Sequence, residues 1–200
     1  MLLSRPLYCI VRPISSRREF LRRQLSSKRT HHERRLLRVN MAHAYQVVSD
    51  VQAYPHFVPW CISSNITRPL ARIASEGNVM ESNGSQESEE KTQQEMEAEL
   101  TVGFKNLFTE KYTSHVTLFP SNTQPKVIAV SSNTHILDYL HTTWEFKAAG
   151  ANKNHCWVNF KVDFQFKSSL YNQVSSIFMK EVVEKMVVSF EKRMLDTAKK

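Results

Sequence analysis

The last thirty or so residues, Ser169 to Lys199, read SLYNQVSSIFMKEVVEKMVVSFEKRMLDTAK. Apolar residues recur at Leu170, Val174, Ile177, Phe178, Val182, Met186, Phe190 and Met194, in steps of three and four. That spacing predicts a helix with one buried face. Ser168 and Ser169 are suited to cap its first turn, and no Gly or Pro interrupts it. The opposite face carries Lys180, Glu184, Lys185, Glu191 and Lys192, and Glu181 is spaced to pair with Lys185. A helix of ~30 residues is ~45 Å long, so its apolar stripe needs a broad surface to lie against.

The preceding chain supplies sheet. Met96, Ala98, Leu100, Val102 and Phe104 alternate with Glu95, Glu97, Glu99, Thr101 and Gly103. Cys156, Val158, Phe160, Val162, Phe164 and Phe166 alternate with polar partners and Trp157. Period two over such lengths predicts an antiparallel sheet with one dry and one wet face. Glu110–Phe119, Lys126–Ser132 and Leu140–Ala148 are shorter candidate strands, separated by turns at 120–122 and 149–152. Residues 34–39 are expected to form a first strand, 41–51 a short helix, and 61–70 another strand. Tyr54 to Trp60 reads as a turn around a bulky apolar cluster, with Pro55 and Pro59 as stops. The expected fold class is therefore α+β, with a sheet of about seven strands curling around one long helix. Such a geometry commonly leaves a cavity.

Charge divides the chain of 200 residues unevenly. Residues 1–40 hold eleven Lys or Arg against two Glu, while the remainder holds sixteen basic residues against seventeen acidic. The Arg- and Ser-rich, acid-poor stretch 1–30 has the composition of a disordered mitochondrial transit peptide. The alternative is a basic arm for nucleic acid or acidic lipid. The domain proper is then 31–200, near neutral, which speaks against a nucleic-acid partner. Within it, 71–93 carries five Glu with many Ser and Gln, and is expected to be a disordered acidic insertion. No stretch approaches the ~20 apolar residues of a membrane span.

Catalytic constellations are lacking. There is no H-E-x-x-H, G-x-S-x-G or G-x-x-x-x-G-K, so neither catalytic nor metal residues are assigned. His135, Asp138 and His141 read as solvated loop positions, and Glu95, Glu97 and Glu99 as a wet strand face. Ser114 and His115 are neighbours on one strand and point to opposite faces. Cys61 and Cys156, far apart and outside any C-x-x-C, read as buried thiols.

Several stretches together resemble a known family. They are YQVVSDVQAYPHFVPWC (45–61), AELTVGFKNLFTEKYTS (98–114), Trp144-Glu145-Phe146, FQFKSSL (164–170) and MVVSFEKR (186–193). The chain thus resembles the mitochondrial coenzyme Q-binding proteins of the START-like, polyketide-cyclase superfamily, which have a helix-grip fold. The most specific parts are FVPWC and the VGF that precedes E-x-Y-T-S. The resemblance implies a non-enzymatic carrier that binds ubiquinone as ligand, needs no cofactor, and supports respiration and ubiquinone biosynthesis. It implies work at the matrix side of the mitochondrial inner membrane, peripherally, near respiratory or biosynthetic complexes. Expected ligand-facing residues are Val102, Phe104, Tyr112, Leu140, Trp144, Phe164, Phe178, Val182 and Met186. Tyr112 and Trp144 each add a donor for a quinone oxygen. Phe57, Val58, Pro59 and Trp60 are expected to form a lid that meets the membrane, or else a structural plug. Rival readings are a polyketide cyclase or aromatase, and a ribosome-associated interaction module.

Overall fold

In a computed structural model the described residues are 28–73, 93–104, 108–132, 134–150, 153–167 and 169–199. For Phe104, Phe108 and 169–179 only the backbone is considered. The leader 1–27 and most of the acidic insertion, 74–92, lie outside these residues.

Seven strands form one antiparallel sheet. They are β1 (Arg29–Leu37), β2 (Cys61–Ile73), β3 (Gln93–Phe104), β4 (Phe108–Phe119), β5 (Lys126–Ser132), β6 (Leu137–Ala148) and β7 (Cys156–Phe166). Their order is β1-β7-β6-β5-β4-β3-β2, so each strand from β2 to β7 lies beside its neighbour in sequence. Between β1 and β2 come helix α1 (Met41–Ser49) and a short 3-10 helix (Val51–His56). The long helix α2 (Ser169–Thr197) closes the chain. The sheet curves about it, as the sequence predicted for a helix-grip, α+β fold.

The period-two strands behave as read. Met96, Ala98 and Leu100 of β3 are buried, as are all six even-numbered residues from Cys156 to Phe166 on β7. On the wet face Glu97 meets Arg68 at 2.6 Å and Glu99 meets Lys111 at 2.7 Å. Ser114 is buried, whereas His115 is exposed and lies 3.1 Å from Glu97. Cys61 and Cys156 are free, buried thiols.

Other boundaries move. The first strand is Arg29–Leu37 rather than 34–39, and it crosses the boundary expected between leader and domain. Its inward positions Arg29, His31, Glu33 and Arg35 are half-buried and polar, so no hydrophobic alternation marks it. Pairing with β7 from Arg29↔Phe164 to Leu37↔Cys156 defines it instead. Likewise 71–73 extend β2 against β3, and Gln93 begins β3, which trims the insertion at both ends. Strands β4 and β6 begin two and three residues earlier than read from the sequence. The 51–56 stretch, expected as helix end and turn, winds into a 3-10 helix containing Pro55.

On α2 the fully buried row is Val183, Val187, Phe190 and Met194. The expected Val182 and Met186 are half-buried, one position round the helix. Both rows border a hollow, through Val182 and Met186 on one and Val183 and Phe190 on the other. Helix α1 begins at Asn40, whose side chain accepts from the Ala42 N–H at 2.8 Å, a cap worth about 1 kcal/mol. Ala44 and Val48 bury its inner face. His43 Nε2 lies 3.1 Å from the Met194 carbonyl and 3.0 Å from Thr197 Oγ1, tying α1 to the end of α2.

Candidate functional site

Between α2 and the sheet lies a cavity of about 230 Å³, lined almost entirely by apolar side chains. Strand parity selects its walls. β3 contributes Leu100 and Val102, β4 Glu110, Tyr112, Ser114 and Val116, and β5 Val127, Ala129 and Ser131. β7 contributes Phe160, Val162 and Phe166, and α2 contributes Val182, Val183, Met186 and Phe190. β6 departs from strict parity. A register shift between Leu137 and Tyr139 allows both Leu137 and Leu140 to reach the cavity, along with Thr142 and Trp144.

An aromatic cluster forms one wall. The ring of Phe190 lies 4.8 Å from Trp144, 5.0 Å from Phe57 and 5.2 Å from Tyr54. Trp144 in turn lies 4.4 Å from Phe160. The Tyr54 hydroxyl donates to the Val48 carbonyl at 2.6 Å, which fixes the 3-10 helix to α1. Behind it the chain turns sharply: Trp60 takes φ 65°, a left-handed conformation that bulky residues seldom adopt. Its carbonyl accepts from the Gly103 N–H at 2.9 Å, and Lys185 Nζ sits 5.7 Å above its ring. Val58, Pro59, Trp60 and Cys61 thus close the cavity beside β3.

Of the nine residues expected to face a ligand, Val102, Tyr112, Leu140, Trp144, Val182 and Met186 line the cavity. Phe164 does not; it is buried against Phe166 with ring centroids 5.6 Å apart. Alternation places it on the inner face, outside the residues that line this cavity. Phe104 and Phe178 fall among the side chains outside the description. Of the expected lid, Val58, Pro59 and Trp60 line the cavity, while Phe57 packs on Tyr54 and Phe190 beneath the Arg193 guanidinium. Burial pushes the hydroxyl pKa of Tyr54 and of Tyr112 upward, so both stay protonated donors across physiological pH.

Among the lining residues missed from the sequence is Glu110. It is 7% exposed and lines the cavity. The His135 and Ile136 N–H groups donate to its Oε1 at 2.6 and 3.1 Å. The turn that presents them is held by Thr134, whose hydroxyl bonds Leu137, and by Lys167 Nζ, which donates to the Thr134 carbonyl at 2.6 Å. The signal was available, since Glu110 shares the parity of Tyr112, Ser114, Val116 and Leu118. His135, Asp138 and His141 do not converge. His135 serves Glu110 through its backbone, while His141 lies 4.0 Å from Asp163 on the outer face. Among the described residues no group of three His, Cys, Asp or Glu is placed to hold a metal. Nor is any helix among them long and apolar enough to cross a membrane.

Comparison with known proteins agrees with this architecture. Residues 37–191 match the model of the family described as polyketide cyclase / dehydrase and lipid transport. The mitochondrial coenzyme Q-binding protein COQ10 homolog B of Xenopus laevis is 32% identical over 84% of this chain and 59% of its own length. The mitochondrial coenzyme Q-binding protein COQ10 of Eremothecium gossypii is 32% identical over 83% of this chain and 72% of its own. The chain thus spans about three fifths of the frog relative. A START superfamily protein from Mycobacterium smegmatis superposes with a TM-score of 0.61 at 13% identity, covering 84% of this chain and 98% of that one. A likeness at that identity speaks for the fold alone. With family model, relatives and fold in accord, the chain belongs to the polyketide cyclase / dehydrase and lipid transport family, among the relatives of the coenzyme Q-binding proteins.

Proposed function

We propose that the protein binds ubiquinone with its ring in the cavity under α2, and carries or presents it by burial and release without bond-making. The observation that carries this reading is the hollow itself, a largely apolar space with a few polar groups, Glu110, Tyr112 and Ser114 on β4 among them. This is the composition of a site for a largely apolar ligand with polar ends. In this reading Tyr112 donates to a ring oxygen, and the aromatic wall of Trp144, Phe160 and Phe190 packs against the ring face; all four line the cavity. The named function of the relatives supports the same ligand class. By the same reading the protein works peripherally at the matrix face of the mitochondrial inner membrane, supplying respiratory or biosynthetic complexes.

The 57–60 segment is then the gate, with Trp60 meeting the membrane surface, a boundary that suits Trp. Replacing Trp60 with Ser should weaken partitioning onto liposomes; equal partitioning removes the membrane role. The ligand is tested by solvent extraction of the purified full chain followed by mass spectrometry. Co-purified ubiquinone is the expected result. An aromatic polyketide would favour cyclase chemistry, and an empty cavity would favour an interaction module.

A further inference from the structure

The carboxylate of Glu110 is not accounted for by apolar burial of a ring. Both backbone N–H groups that reach it end on Oε1, and among the described residues nothing donates to Oε2. The sealed, unpartnered side-chain polar atoms among those residues are Ser64 Oγ and His155 Nδ1, so Oε2 is not one of them, and Glu110 lines the cavity. A carboxylate oxygen offers lone pairs only. It accepts a short, charge-assisted bond from a phenolic hydroxyl, and it repels a carbonyl oxygen in a low-dielectric space. Ser114 lies two strand positions beyond Tyr112, on the same inner face, and its hydroxyl is free to accept or donate as the ligand requires.

From this geometry we infer that the cavity selects phenolic rings, holding the hydroquinone form of its ligand in preference to the quinone through Glu110 Oε2. The inference rests on the ring-binding function proposed above and adds to it a preference of redox state. The protein transfers no electron or proton itself; it discriminates between two forms that other catalysts interconvert. A hydroxylated aromatic precursor would satisfy the same acceptor.

The test uses the full chain at pH 7.5 under argon, with calorimetry of three probes. These are a ubiquinone bearing one isoprene unit, its hydroquinone, and the dimethyl ether of that hydroquinone, which keeps the shape without a donor. Hydrogen bonds to charged groups imply that the hydroquinone binds at least about tenfold tighter than the quinone and the ether. A tenfold preference raises the midpoint potential of the bound couple by about 30 mV. In Glu110→Gln the amide oxygen still accepts from the turn, and its NH₂ replaces Oε2. The preference should then shrink at least about tenfold or invert. Equal binding of quinone and hydroquinone, or tighter binding of the quinone, overturns the inference while leaving ring binding intact. An ether that binds as tightly as the hydroquinone overturns it as well. Failure of all three probes to bind overturns the ring-binding function with it. The probe comparison on the unaltered chain decides the matter even where Glu110→Gln fails to fold.

Discussion

Trp144 is 5% exposed, is packed between Phe160 and Phe190, and also borders the cavity. Truncation to Ala therefore costs about 3–5 kcal/mol of stability, and confounds binding with folding. Trp144→Phe keeps a ring in the stack and removes the indole N–H. It should cost less than the truncation to Ala while ubiquinone retention falls severalfold; unaltered retention would reduce Trp144 to wall. The thiols give a different reading of burial. Cys61 and Cys156 are pushed up to about 11 by desolvation, against about 8.5 in an unfolded chain. Below pH 8.5 both states keep the proton and the thiols add no slope. Between about 8.5 and 11 only the unfolded chain releases protons, so stability falls as pH rises. Urea midpoints across that range should drop, and the Cys61→Ala/Cys156→Ala variant should drop less; parallel curves would contradict buried, protonated thiols. Tyr112 and Trp144 were legible from strand parity plus a polar handle. Parity also put Phe164 inward, but it reports a face and not whether space lies beneath it. Glu110 escaped because a charge at the start of a strand reads as solvated; parity already placed it on the inner face, and the turn at 134–137 folding back onto it supplies the donors that hold it there.

At the scale of elements, Phe190 is the joint between α2 and the segment that closes the cavity, since its ring touches Tyr54, Phe57 and Trp144. Phe190→Leu removes the edge-to-face contacts but keeps most of the apolar volume, at a cost of about 1–2 kcal/mol. The loss should concentrate in the 51–61 segment, where the Val58 and Cys61 N–H groups donate to Tyr54 and Val58 carbonyls. Hydrogen exchange at those two amides should accelerate by more than the global destabilisation. Exchange along β7 should follow the global value; uniform acceleration would show that the segment opens only when the whole domain does. The helix pattern made α2 legible from Ser169 onward, because a 3.6-residue period persists over eight turns without a breaker. What the pattern left open was which of two adjacent rows is sealed. Val183, Val187, Phe190 and Met194 are buried, Val183 and Phe190 of them bordering the hollow, while Val182 and Met186 border it half-buried; the apolar spacing alone does not separate the two rows. Strand β1 was legible only at its Leu36–Leu37 end, since an edge strand recruited by β7 needs no apolar alternation of its own.

For the whole molecule, the size of the cavity governs what the proposed ligand does with its tail. A hollow of about 230 Å³ falls below the ~300–1,000 Å³ of sites that enclose drug-sized ligands. An engineered cavity of roughly 150 Å³ already binds benzene, so a substituted ring and little more fills this one. On the proposed ring-binding reading, a hollow of this size takes the ring and the first isoprene unit, and the chain beyond that unit leaves past the rim. Full burial of a five-carbon unit would add roughly 4 kcal/mol, close to a thousandfold in affinity per unit. Ubiquinones with one, two, three and four units, each presented in detergent micelles at matched free concentration, therefore should not follow that progression. Affinity should rise from a tail-less ring to the first unit and then change by less than about tenfold per added unit. A climb of a hundredfold or more at each step would mean that the sheet and α2 part to admit the tail, and that the closed cavity is one state of a wider tunnel.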